Sequence, residues 1–174
     1  MSEPGRGGDA APSSAPRRRR RPEPTPAQRA LGLLTRREHS ARELERKLGA
    51  RGIEPAEARA TVDKMREAGW QDDARFAVLL VRSRASAGHG PLRIRAELAT
   101  HGLEREAVAA ALTAFEDAGA ADWVALAREQ IRRRFASALT GDRVTQRKAM
   151  EFLMRRGFSM DQVRGAVSSD QAMP

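Results

Sequence analysis

Apolar side chains are concentrated in one stretch near the middle of the chain, residues 70–81. Phe76, Leu79 and Leu80 stand at i, i+3 and i+4, the spacing that places three side chains on one face of a helix. Two valines of the same stretch make the opposite side apolar as well. A helix that is apolar most of the way round is buried between neighbours. The stretch therefore predicts a central, buried helix.

Two acids, Asp72 and Asp73, stand directly before this helix, after Trp70. Either carboxylate can accept hydrogen bonds from the free N–H groups of a first helical turn, so either acid is a candidate N-cap. The acids and Trp70 are expected to hold the joint between this helix and the segment that precedes it.

Helical patterns also precede and follow the central helix. Three helices are predicted before it, beginning near Pro26, Ser40 and Pro55, and Glu43 completes a capping box with Ser40. Two more follow it within the next 50 residues, and a third group of three begins near residue 122. Ser159 and its partner three residues later form a capping box for the last of these helices.

The three groups superpose residue by residue on the glycines Gly52, Gly102 and Gly157, which are separated by 50 and 55 residues. Apolar residues recur four before, one after, six after and ten after each glycine. They are Leu48, Leu98 and Leu153; Ile53, Leu103 and Phe158; Ala58, Val108 and Val163; Val62, Leu112 and Val167. A repeat of this period indicates stacked helical units that stabilise one another.

The predicted fold is all-α, with three tandem three-helix repeats in an elongated array that can curve. We expect residues 1–25 to form a disordered basic tail, and repeats to span residues 26–69, 70–119 and 120–168. Pro, Gly, Ser and Ala dominate the tail, which cannot bury enough apolar surface to fold. Residues 169–174 are expected to fray.

Charge points to a polyanionic partner. The chain has 174 residues and a formal net charge of +9, and only +3 of it lies in the tail, which includes the run Arg17–Arg21. A long surface with regularly spaced cations suits a long, negatively charged partner. The candidate contact residues are Arg42, Arg46, Lys47, Arg51, Arg93, Arg95, Arg132, Arg133, Arg147, Lys148, Arg155 and Arg156.

Residues suited to catalysis or metal binding do not cluster in the sequence. There is no cysteine, and His39, His89 and His101 stand apart from one another. No nucleophile and base stand at a suitable spacing, and no apolar run approaches the roughly 18 residues that span a bilayer. We therefore expect a cytoplasmic protein that is not an enzyme, binds no cofactor or metal, and has no membrane segment.

Four segments together resemble the RecX regulatory proteins: residues 40–48 (SARELERKL), 69–77 (GWQDDARFA), 90–98 (GPLRIRAEL) and 155–158 (RRGF). The resemblance covers about residues 26–168. It departs from the family at two positions, where Gln71 replaces an aliphatic residue and His101 a basic one.

The resemblance implies a monomeric protein that binds the RecA recombinase and its filament on single-stranded DNA. Such proteins are built from three-helix repeats, lie in the filament groove, and inhibit strand exchange, ATP hydrolysis and coprotease activity. Two other functions remain open from the residues alone. One is a helical DNA-binding protein or transcriptional regulator, because the helix–glycine–helix junctions look like helix-turn-helix motifs. The other is a scaffold that binds only proteins.

Overall fold

The computed structural model of the protein describes residues 23–120 and 122–168. The arginine run at 17–21, almost all of the predicted tail, and the predicted frayed end at 169–174 lie outside the described residues. Within those two ranges the chain forms nine α-helices and no strand.

The helices fall into three groups of three. The first unit contains α1 (Pro26–Leu34), α2 (Ala41–Gly49) and α3 (Pro55–Glu67). The second unit contains α4 (Asp73–Ser86), α5 (Pro91–Thr100) and α6 (Arg105–Phe115), and a short π-helical turn, Glu116–Ala120, follows it. The third unit contains α7 (Trp123–Arg134), a 3₁₀ turn (Ala136–Thr140), α8 (Arg143–Arg155) and α9 (Met160–Val167). The structure thus confirms an all-α fold of three three-helix repeats.

The repeated apolar positions form the cores of the units. Leu48, Leu98 and Leu153, which stand four residues before the shared glycine, are all fully buried. The glycines themselves end the second helix of each unit with φ between 81° and 87°, a left-handed conformation that residues with a Cβ rarely adopt. The same sequence pattern therefore produces the same helix, stop and helix three times.

The central helix α4 is less buried than its sequence predicts. Phe76 and Val81 are in the core, but Leu79 is 46% exposed and Trp70 is 48% exposed. Ala77 and Ala85 are buried as well, and both belong to the core that α4 shares with α6. The prediction that α4 is buried on all sides is wrong. Trp70 is too exposed to hold the joint with the first unit.

The N-caps and helix ends mostly agree with those predicted from the sequence, and two of them differ. Asp72 is the N-cap of α4, and its Oδ1 accepts hydrogen bonds from the backbone of Ala74 and Arg75. Ser40 caps α2, but the predicted capping box is incomplete because the carboxylate of Glu43 forms ion pairs instead. Ser159 does form its predicted box. Helix α1 ends at Leu34, three residues before the end of the stretch 27–37 whose apolar spacing predicts a helix.

The second and third units share one continuous apolar core, which extends from Phe76 to Ala166. The first unit has its own core, built around Leu44, Leu48 and Val62. The first unit is therefore joined to the second mainly through polar groups, whereas the other two units are joined by hydrophobic burial.

Both joints use the same positions of the repeat. At the first joint, Ser40 Oγ, at the start of α2, lies 2.9 Å from His101 Nδ1, at the end of α5. At the second joint, the N–H of Gly90, at the start of α5, donates to the carbonyl of Arg156, at the end of α8, over 2.8 Å. Glycine replaces serine at this position and has no side chain, so the backbones of the second and third units are in direct contact.

Candidate partner-binding surface

Three adjoining depressions form a concave track along the first two units. The largest, about 540 Å³, lies between the units and has an apolar floor that includes Phe76 and Leu79. It shares Glu97 with a second depression of about 480 Å³ that contains Arg93. A third, of about 350 Å³, is lined by Arg42 and by other side chains of the first joint. The track is a continuous surface with an apolar centre and cationic flanks.

Ion pairs fix the walls of the largest depression. Arg84 on α4 forms a two-pronged pair with Glu97 on α5, with Nε–Oε2 and Nη2–Oε1 distances of 2.8 and 2.6 Å. The hydrogen bond from Arg84 lowers the pKa of Glu97. Arg75 pairs with Glu38 across the first joint at 2.5 Å. These pairs hold long side chains in place, and they leave less positive charge free than the sequence suggests.

Glu43 is the most deeply placed acid of the track and is only 6% exposed. Burial alone would raise its pKa, but hydrogen bonds from Arg37, His39 and Lys47 outweigh that effect and lower the pKa to about 2. Its carboxylate therefore stays charged at neutral pH and holds three side chains at the base of the first joint.

His89 marks a concentration of positive charge between the second and third units. Burial lowers its pKa first, and the charges of Arg93, Arg156 and Arg84 lower it further. Glu97 is the acid that opposes them. A protein that keeps three guanidinium groups near a neutral histidine has a local surplus of positive charge, which favours a negatively charged ligand at this end of the track.

Four of the cations predicted to contact a partner hold parts of the protein together. Arg42 Nη1 donates to the Thr100 carbonyl across the first joint over 3.2 Å. Arg156 Nη1 donates to the Ala87 carbonyl across the second joint over 2.8 Å. Lys47 pairs with Glu43, and Arg51, which follows α2, donates to the Lys47 carbonyl of that helix. The structure thus gives these residues a structural role in addition to their charge.

Three others share their charge with an acid on the same helix. Arg132 and Arg133 both pair with Glu129 on α7, and Arg147 lies 3.3 Å from Glu151 on α8. Such exposed pairs contribute little to stability. These arginines can therefore leave the glutamate and bind a phosphate with little loss of free energy.

The remaining five predicted cations are exposed and form neither an ion pair nor a hydrogen bond with any residue in the described ranges. They are Arg46, Arg93, Arg95, Lys148 and Arg155. Arg46 and Arg93 line the concave track, whereas Arg95 lies on another surface of α5. Two residues along a helix correspond to a rotation of about 200°, so Arg93 and Arg95 point in nearly opposite directions.

Sequence reasoning missed the polar residues of the first joint. His39 is 2% exposed and Gln71 is 1% exposed, and Gln71 Nε2 donates to the His39 carbonyl over 3.3 Å. The only sign was that Gln71 stands where the family that the sequence resembles has an aliphatic residue. Exposed cations outside the arginine clusters, such as Arg59 and Arg105, were also overlooked.

Other kinds of site find no support in the described part of the chain. Its His, Asp and Glu side chains form no group of three that could hold a metal ion. None of its helices combines the length and the apolar character needed to cross a membrane.

Three sequence models of one family match successive parts of the chain. "RecX, first three-helix domain" matches residues 28–74, "RecX, second three-helix domain" matches 72–112, and "RecX, third three-helix domain" matches 121–167. These matches follow the order of the three units in the fold.

Curated relatives carry the same family name. "Regulatory protein RecX" of Xanthomonas axonopodis pv. citri (strain 306) is 57% identical over 157 residues, which cover 90% of this chain and 94% of the relative. That of Stenotrophomonas maltophilia (strain R551-3) is 56% identical over 154 residues, which cover 88% and 92%. The crystal structure of RecX from Lactobacillus salivarius matches the fold with a TM-score of 0.65 and 24% identity, covering 82% of this chain and 92% of that one.

Proposed function

The chain belongs to the RecX family, and on that premise we propose that it regulates the RecA recombinase by binding the filament that RecA forms on single-stranded DNA. The matched relatives are named as regulatory proteins, which fits a protein that modulates an enzyme. The resemblance of its motifs to the family supplies the identity of that enzyme.

The observation that carries the proposal is the concave track and its exposed cations. Arg46 and Arg93 line it at separate points, and both guanidinium groups are without an acidic partner among the described residues. A filament of protein and DNA offers phosphates at regular intervals together with protein surface. A track with cationic flanks and an apolar centre suits such a mixed partner.

Binding of this kind inhibits by stabilising one state of the filament. A protein that lies in the groove restrains the movements that ATP hydrolysis requires, and it occupies space that a second DNA or a coprotease substrate needs. Strand exchange, ATP hydrolysis and coprotease activity are then all reduced. As part of the same proposal, the protein acts as a monomer in the cytoplasm during DNA repair and the SOS response, without a cofactor.

The test is the ATPase rate of RecA on single-stranded DNA with substoichiometric amounts of this protein. We expect the wild type to slow hydrolysis and the double variant Arg46→Glu/Arg93→Glu to require at least about tenfold more protein, because two phosphate contacts become repulsive. The matched control is Lys64→Glu/Arg143→Glu, which makes the same change of charge at exposed positions outside the track. No slowing by the wild type would contradict the proposal.

A DNA-binding regulator is the alternative that the helix–glycine–helix junctions suggest. Sequence-specific binding to duplex DNA at physiological salt, without any effect on RecA, would favour it. Repeating the ATPase assay with residues 1–25 removed shows whether the arginine run contributes to the effect on RecA.

A further inference from the structure

A shallow groove of about 270 Å³ lies between α5 and α6 and adjoins the concave track at Ala96. Its lining is apolar and includes Leu92, Leu103 and Val108, together with two alanines of α5. Leu92 is 53% exposed, although it is a large apolar side chain on a well-formed helix. A groove with an exposed apolar side chain can receive an apolar side chain of another protein.

The groove is a repeated feature whose chemistry changes from one unit to the next. In the first unit, the corresponding groove between α2 and α3 is lined by residues that stand 50 positions earlier. There, Arg42 and Arg46 occupy the positions of Leu92 and Ala96, and Glu45 occupies that of Arg95. Both linings, as far as the structure describes them, have the same net charge, but only the groove of the second unit contains leucine side chains and lacks an acid.

Two cations flank the apolar groove. Arg95 on α5 and Arg105 on α6 both line it, are exposed, and form no ion pair with the residues that the structure describes. Among the described residues, no acidic side chain lines the groove itself. The charge of a complementary ligand is therefore negative, whereas its central contact with Leu92 must be apolar.

From this geometry we infer that the α5–α6 groove binds an acidic protein segment that inserts a large apolar side chain beside Leu92. The inference rests on the proposed function, since the segment belongs to the RecA subunits of the filament. Nucleic acid suits the groove poorly, because base stacking requires aromatic side chains and none lines it. Helix α5 then contacts phosphate through Arg93 on one side and protein through Leu92 and Arg95 on another.

The experiment compares two binding measurements on the full chain. One uses RecA filaments assembled on oligo(dT) with a non-hydrolysable ATP analogue, and the other uses oligo(dT) alone. We expect Leu92→Ser and Arg95→Glu each to weaken filament binding by at least about tenfold, the effect of losing a central contact. Binding to oligo(dT) alone should change less than about twofold with Leu92→Ser, which leaves the charge unaltered.

The matched control is Val144→Ser, which removes an apolar side chain that is 66% exposed on α8. It should bind filaments as the wild type does, and circular dichroism should show all variants folded, because the replaced side chains are exposed.

The outcomes separate this inference from the proposed function. If the wild type fails to bind filaments, both are wrong. If the wild type binds and the groove variants bind equally well, only the groove assignment is wrong. The assignment is also overturned if Leu92→Ser weakens oligo(dT) binding as much as filament binding. It is likewise overturned if sedimentation shows a wild-type dimer that Leu92→Ser dissociates, since the groove would then bind a second copy of the chain.

Discussion

Gly90 and Gly157 lie backbone against backbone where the second unit meets the third. A Cβ added to Gly90 would collide with the carbonyl group of Gly157, and the N–H of Leu92 donates to that same carbonyl over 3.0 Å. The φ of Gly90 is −83°, which any residue can adopt. Close approach, and not backbone conformation, is therefore the reason that this position requires glycine.

The first prediction follows from that contact. Gly90→Ala should lower the free energy of unfolding by roughly 1–3 kcal/mol, because the joint must open to admit a methyl group. Gly32→Ala is the matched control, since a Cβ there meets nothing within 4 Å and the residue lies inside α1. That variant should gain about 0.5–1 kcal/mol in helix propensity. Urea unfolding measures both, and an unchanged or higher stability of Gly90→Ala would contradict the collision.

Asp72 and Asp73 are adjacent in sequence, but they have different roles that can be separated. Asp73 Oδ1 accepts a hydrogen bond from the N–H of Ala41 across the first joint over 2.9 Å, whereas Asp72 caps its own helix. Asp73→Ala should therefore accelerate amide hydrogen exchange at Ala41 and cost roughly 1–3 kcal/mol by leaving that N–H without its acceptor.

Asp72→Ala provides the comparison for that measurement. It should cost about 0.5–2 kcal/mol as a lost N-cap and should leave exchange at Ala41 unchanged. Equal acceleration at Ala41 in both variants would mean that the joint depends on the helix start as a whole and not on Asp73.

Stability should fall as the solution becomes acidic, in two separate ranges. Burial lowers the pKa of His39 below its ordinary value of 6.5, and burial also lowers that of His89. Above pH 6.5 both states of the protein hold these rings neutral. Below it, the unfolded chain takes up protons that the folded chain resists, so stability declines. A lower range follows between pH 4.5 and about 2, where Glu43 becomes protonated.

Urea unfolding at a series of pH values tests this prediction. His39→Gln should flatten the decline just below pH 6.5 while leaving the decline below pH 4.5 in place. A wild-type stability that stayed constant between pH 7 and pH 5 would contradict the burial of these rings in neutral form.

The position before each shared glycine offers a comparison within one chain. Arg156 donates to the Ala87 carbonyl of the second unit and lies over the ring of Phe152 at 5.0 Å. Arg51 occupies the same position in the first unit, where the described residues form no preceding helical unit. We expect Arg156→Ala to lower the free energy of unfolding by roughly 1–2 kcal/mol and Arg51→Ala to change it by less than about 0.5 kcal/mol. Equal losses in thermal unfolding would mean that this position has no role in joining units.

Much of the candidate surface was not predictable from the sequence, because the charge of a side chain does not reveal its partner. The sequence marked twelve cations, and the structure leaves five of them without an ion pair or hydrogen bond among the described residues. Arg42 and Arg156 were marked for their charge but bridge neighbouring units. Leu92 was not marked at all, since an apolar residue on a helix is ordinarily assigned to the core.

The sequence by itself determined the helices, their stops and the threefold repeat. These features depend on the spacing of apolar residues, on capping residues, and on Gly52, Gly102 and Gly157, which adopt a left-handed conformation. Only the tertiary structure decided how the units meet. Whether Ser40 faces His101, or Gly90 faces Gly157, depends on the distance between two backbones that are far apart in the chain. The same repeat therefore forms a polar joint at one end and a backbone contact at the other.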